Sequence, residues 1–261
     1  MDAAAPLVLE VLGEFGLPVA GRRTAALTAT ATGRGLVALL RCALLPRATV
    51  ADLLAYLRAP GVVEISGFVD DLEAWVRRKG VTDPVAVRER WTRDHWPLDA
   101  LDRMTAAAER GAVPLLRAVE HEAARLFALP YRGAGHGEPR LDADGRDEAQ
   151  ALRAVRRWTT DLIELARADA SLAPAPDEVP GLLTALRVRT GADAGPEAIA
   201  VLDPLQVRAR RVRALYVVRA QEQELPALVR PDPFLDDDDR RVLAATTGLR
   251  LPLVRRWGAQ T

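Results

Sequence analysis

Near the C-terminal end of the chain, Arg208, Arg210, Arg211 and Arg213 fall within six residues, with Gln206 just before them. Guanidinium groups bind phosphate oxygens without regard to base sequence, so this segment can contact a nucleic-acid backbone. The same residues suit a solvated basic turn paired with Asp203 and with the acidic run Asp236–Asp239. On residue types alone both readings stay open. The acidic run lies just before Arg240 and Arg241 and a helical stretch. Carboxylates at a helix N-terminus are stabilised by the helix dipole, which explains the run more simply than a bound cation does.

Other chemistries lack their parts. A phosphate-binding loop needs Gly-x-x-x-x-Gly-Lys-Ser/Thr, whose backbone amides and lysine neutralise the phosphates. Lys79 is the only lysine and has no such spacing around it. Gly33-Arg34-Gly35, at the start of an apolar helix, reads as structural. No acidic pair that would coordinate magnesium is visible, and the lysine of a PD-(D/E)XK nuclease is missing. Cys42, His95, His121 and His136 share no ligand spacing, and no Gly-x-Ser-x-Gly elbow exists. The expectation is therefore no catalytic residue, no metal and no cofactor within this chain.

Composition narrows the class further. Acidic and basic residues balance at 36 each among 261, so no global field draws in nucleic acid. Apolar residues make up 49% and aromatics 5%, which suits an Ala/Leu/Val-rich helical protein. With Cys42 alone, no intramolecular disulfide can form. The opening MDAAAPLVLEVLGEFG has no basic flank and does not read as a signal peptide. No apolar run approaches the ~20 residues of a membrane span. A cytoplasmic protein with no membrane partner is expected.

The elements follow from periodicity and punctuation. Pro6–Phe15 reads as a helix with Leu7, Val8, Val11, Leu12 and Phe15 on one stripe, followed by a turn and a short strand at Leu17–Val19. After a Thr-rich connector from Arg22 to Thr32, helices are expected at Gly33–Leu45, from Thr49 as N-cap to Leu57, and at Gly67–Lys79 with Ser66 as cap. More follow from Pro84 to Trp91, Pro97 to Glu109, and Pro114 to Leu129. Tyr131–Gly145 reads as a loop. Asp147–Ala168 is the clearest amphipathic helix, with Leu152, Val155, Trp158, Leu162 and Leu165 on one face. Pro180–Val188 reads as a short helix, and another runs from about Asp237 to Thr246. The apolar runs Ala198–Leu202 and Ala214–Val218 have the length and β-branching of buried strands.

The order strand, polar turn, basic segment, strand, and then Glu222, Leu225 and Pro226 resembles the motor region of UvrD-like helicases. It is most similar to the AddB-type subunit of bacterial helicase–nucleases, a PD-(D/E)XK nuclease family protein. The family's tail is matched at Asp232, Pro233, Phe234, Leu235, Asp237, Arg240, Leu243, Gly248, Leu249, Leu251 and Pro252. At the other end, Gly16-Leu17-Pro18-Val19 and the stretch ADLLAYLRAPG resemble the start of that family's second motor lobe and of its helical insertion. Arg219 stands where the family places a glycine, and Leu202-Asp203-Pro204-Leu205-Gln206 stands where UvrD-type proteins carry a Thr/His/Lys motif.

The resemblance implies a mostly α fold with a small parallel sheet, like a helicase second lobe with a large helical insertion. Residues 1–30 and 196–261 would form the α/β lobe, and residues 31–195 the insertion. Adjacent parallel strands would come from Leu17–Val19, Ala198–Leu202 and Ala214–Val218. The implied function is that of a non-catalytic fragment in DNA double-strand-break repair and recombination. ATP and magnesium would belong to the parent family and not to this chain. Its implied partners are single-stranded DNA, met at Gln206, Arg208, Arg210 and Arg211, and a motor lobe or helicase–nuclease subunit. A helical protein–protein interaction module with no nucleic-acid role is the competing expectation.

Overall fold

A computed structural model describes residues 4–21, 23–131, 143–191, 195, 197–202, 204–208, 211–218 and 236–249. Helices dominate. In chain order, helix α1 (Ala4–Glu14) leads into strand β1 (Val19–Ala20) and strand β2 (Arg23–Ala26). Helices α2 (Ala31–Leu44), α3 (Val50–Leu57), α4 (Ser66–Lys79), α5 (Pro84–Asp94), α6 (Asp99–Glu109), α7 (Ala112–Ala128) and α8 (Ala143–Ala168) follow. Helix α9 (Val179–Ala185), strands β3 (Arg187–Thr190) and β4 (Ile199–Ala200), and helix α10 (Asp237–Thr247) complete the order. Contacts divide the chain into one unit over Met1–Val207 and a second over Arg208–Thr261.

Helix boundaries follow the local chemistry. Thr49 and Asp52 form a reciprocal capping box at α3, with the Thr49 side chain accepting from the Asp52 N–H at 3.1 Å and the Asp52 carboxylate accepting from the Thr49 N–H at 3.0 Å. Asp83 caps α5 ahead of Pro84, and Gly80 closes α4 in the left-handed region at φ 62°. Ser66 lies inside α4 rather than capping it, because the helix begins one residue earlier than the sequence suggests. Thr30 caps α2, receiving the Gly33 N–H at 3.1 Å while its own hydroxyl donates to the Leu27 carbonyl at 2.7 Å.

The core of the first unit is built around α2. Its Leu36, Val37, Leu39 and Leu40 are buried, and it touches α3, α6, α7, α8 and α9. Burial of this many aliphatic side chains is the main stabilising term, at roughly 1.5–3 kcal/mol each. Helix α8 presents Leu152, Val155 and Ile163 inward, while Leu165 turns out to solvent. The apolar face of α8 thus drifts from the expected stripe, since a spacing of four residues keeps one side of a helix better than alternating threes.

Two small sheets stand at the ends of this helical body. Strands β1 and β4 pair in parallel, Val19 opposite Ile199 and Ala20 opposite Ala200. The Ile199 N–H donates to the Pro18 carbonyl at 2.7 Å and the Val201 N–H to the Ala20 carbonyl at 2.9 Å. Strands β2 and β3 pair antiparallel, Ala25 opposite Val188, and Val188 and Thr190 face inward while Arg187 and Arg189 face out. This second pair was not expected: Arg23–Ala26 lies in the Thr-rich connector, and the helix expected over Pro180–Val188 ends at Ala185, so that Arg187 and Val188 join β3 instead. The expected strand at Ala214–Val218 does not form; those residues carry no regular secondary structure and lie exposed. A run of apolar residues specifies a strand only where a neighbouring edge pairs with it.

The Glu148 carboxylate of α8 accepts the Ala31 N–H at 2.6 Å and the Thr32 N–H at 2.8 Å, filling the first turn of α2 from a residue 117 positions away. Replacing Glu148 with Ala leaves both donors without this partner and should lower unfolding free energy by about 2–3 kcal/mol, read by urea denaturation, with Glu148→Gln losing less. A Cβ on Gly33 would sit 2.1 Å from the Leu27 carbonyl oxygen. Gly33→Ala should therefore destabilise by roughly 1–3 kcal/mol in the same measurement, against the ~1 kcal/mol gain that alanine brings to an open helix position.

Candidate nucleic-acid interface

Gln206 lies in a single 3-10 turn, Pro204–Val207, half-buried at the end of the first unit. Arg208 follows in a turn and is exposed, as are Arg211 and Arg213. Arg210 lies outside the described residues. Among the described residues, none of Arg208, Arg211 and Arg213 makes an ion pair, and all three are exposed. Beyond them the chain exposes Leu215, Tyr216, Val217 and Val218, with Tyr216 86% accessible. Sequence reasoning took Tyr216 as a strand residue and gave it no role. Only its exposure in the folded chain sets it apart.

The acidic run has a structural use. Asp236 caps α10, accepting the Asp238 and Asp239 N–H groups, each at 2.8 Å, and Asp239 completes a capping box. Asp238 also pairs with Arg241. Gly248 ends the helix in the left-handed region. Three acids in the first turn match the positive end of the helix dipole, as the sequence reading expected.

In the first unit, a cleft of about 740 Å³ opens beside the α2 N-terminus, with Thr24, Arg34, Tyr131, Asp144 and Glu148 among its walls. Several of its polar groups already serve the fold. Glu148 holds the α2 amides, Asp147 accepts the Gly191 N–H at 2.9 Å, and Arg34 donates to the Ala29 carbonyl at 2.9 Å. The cleft has the shape of a site, but its Arg34, Asp147 and Glu148 are spent on backbone.

The remaining reactive side chains are structural as well. Glu122 is fully buried and held by Arg125, whose Nε lies 2.7 Å from the carboxylate and whose guanidinium also donates to the Tyr56 hydroxyl at 3.0 Å. Burial raises the Tyr56 phenol above its ordinary range. Burial also pushes the Cys42 thiol up to about 12, leaving it protonated and unreactive at neutral pH. His95 is stacked on Phe68 at 4.6 Å and lies 4.4 Å from the Trp91 ring. His121 is exposed on α7, and His136 lies outside the described residues. Among the described residues no cluster of His, Cys, Asp or Glu could hold a metal ion, and no helix is long and apolar enough to cross a membrane.

Comparison with protein-family models, with curated proteins and with solved structures found no match.

Lys79 sits exposed in the last turn of α4, far in sequence from any glycine-rich loop that could place it against a phosphate. Purified protein should release no phosphate from ATP, with or without DNA. A Lys79→Ala variant should be indistinguishable from it in a coupled phosphate assay.

Proposed function

We propose that the chain is a non-catalytic, nucleic-acid-processing lobe of the AddB-like, UvrD-like kind, acting in DNA double-strand-break repair and recombination. It contacts single-stranded DNA weakly, through Gln206 and the arginines at 208, 210 and 211, and works beside a motor lobe or helicase–nuclease subunit that supplies ATP chemistry. The observation that carries the reading is the parallel pairing of β1 with β4, Val19 opposite Ile199. A parallel pair needs a crossover connection, and here the crossover contains the whole helical body. The segment Gly16–Val19 and the run before the arginines, which carried the resemblance, are thereby side by side. The exposed Arg208, Arg211 and Arg213, which form no ion pair among the described residues, add a surface suited to phosphate.

A second reading is favoured by α1. Leu7, Val11 and Phe15, spaced by four, are 60%, 40% and 78% exposed and form an apolar stripe that the described residues leave uncovered. That stripe suits a helical protein–protein interaction module with no nucleic-acid role.

Fluorescence anisotropy with a labelled single-stranded oligonucleotide separates the two. Each neutralised phosphate on a single strand contributes ~0.7 to the log–log salt slope, so two or three contacts give roughly −1.5 to −2. Replacing Arg208, Arg210 and Arg211 together by alanine should remove most of the signal. No binding at low salt, or equal binding by the variant, would hand the case to the interaction module.

A further inference from the structure

We propose that the stretch 211–218, with Arg208 before it, takes single-stranded DNA by stacking an unpaired base on the Tyr216 ring, with Arg208, Arg211 and Arg213 holding the adjoining phosphates. The inference rests on the nucleic-acid reading above and adds to it a base-contacting residue and a preference for unpaired strands. Tyr216 is 86% exposed, and its neighbours Leu215, Val217 and Val218 are 60%, 58% and 64% exposed. An aromatic ring left this open in a folded chain gains nothing from packing and offers its face to a ligand. Three residues of chain span at most ~10 Å and five at most ~18 Å, so Arg213 and Arg211 remain within reach of a strand whose base lies on the ring.

The alternatives each use half of the segment. An acidic peptide would engage the arginines and leave the ring idle. A second copy pairing along the apolar run would bury Leu215–Val218 and gather like charges from both sets of arginines. A duplex satisfies the arginines but keeps its base faces stacked inside. An open single strand uses cations and ring together, the combination by which sequence-tolerant single-strand sites work. Balanced net charge, with 36 acidic and 36 basic residues, keeps the attraction local to this segment.

The test uses the full chain with three labelled probes of equal length: a single-stranded oligothymidylate, the same backbone with abasic positions, and a duplex. Tyr216 is exposed, so its variants should keep the wild-type circular dichroism. Tyr216→Ala and Tyr216→Leu should bind the oligothymidylate roughly tenfold or more weakly, with the salt slope unchanged, and Tyr216→Phe should bind as wild type does. Wild type should bind the abasic strand and the duplex about as weakly as Tyr216→Ala binds the oligothymidylate. If Tyr216→Ala binds like wild type, or the abasic strand binds as well as the intact one, the stacking role is overturned while the arginine contact stands. If wild type binds no probe at low salt, both fall. Self-association in sedimentation without any DNA binding would assign the exposed run to pairing between copies and overturn the proposal as well.

Discussion

Everything in the helical body is hung on a carboxylate set into the first turn of a helix. Helix α2 runs through the middle of the core, and its N-terminal amides would be unsatisfied without a partner. Thr30 supplies one oxygen locally, and Glu148 supplies two from over a hundred residues away, to Ala31 and Thr32. The charge sits where the helix dipole favours it. The bond also ties α8 to α2, and α8 in turn packs against α7 and β3. Thr30 and Gly33 allow the chain to turn from the Leu27 carbonyl into the helix within a few residues, and the missing Cβ at Gly33 is what lets that carbonyl approach.

A second buried charge shows the same economy at a different place. Glu122 has no exposure, yet Arg125 bonds it, and the same guanidinium reaches Tyr56 on α3. An ion so deeply placed is costly unless paired. Here the same guanidinium that pairs the buried acid also bonds the Tyr56 hydroxyl, a polar tie between α7 and α3. The buried reactive groups among the described residues are thus committed to architecture, while Arg208, Arg211, Arg213 and Tyr216 stay exposed.

Most helices were legible because their signals are local. Thr49 with Asp52, Asp83 with Pro84, Gly80, and the run of aspartates before α10 each mark an end by chemistry contained within four residues. The strands were legible only in part. Leu17–Val19 and Ala198–Leu202 were placed as short strands, and they pair over Val19–Ala20 and Ile199–Ala200. Ala214–Val218 has the same composition and makes no strand, since composition says nothing of whether an edge is within reach. The β2–β3 pair escaped notice because Arg23–Ala26 lies in a Thr-rich connector and Arg187 and Val188 read as the end of a helix begun at Pro180. Of the site, the arginines were visible in the sequence. The ring of Tyr216 and the carboxylate of Glu148 were not, because exposure and a bond to an amide over a hundred residues away leave no local mark.

The pairing of Val19 with Ile199 has a consequence for the order in which the molecule is built. Closing a loop of roughly 180 residues must be met in entropy before the contact returns anything, and two short strands return little. The helices between them make mostly near-neighbour contacts, α2 with α3, α6 with α7 and α7 with α8, which form quickly. They shorten the span that the strand ends must bridge. The parallel sheet is accordingly the last piece to assemble and the first to open, while the helical body folds as a unit without it. The molecule thus carries a stable body and a late-forming end, and the end is where the chain goes on to its basic segment.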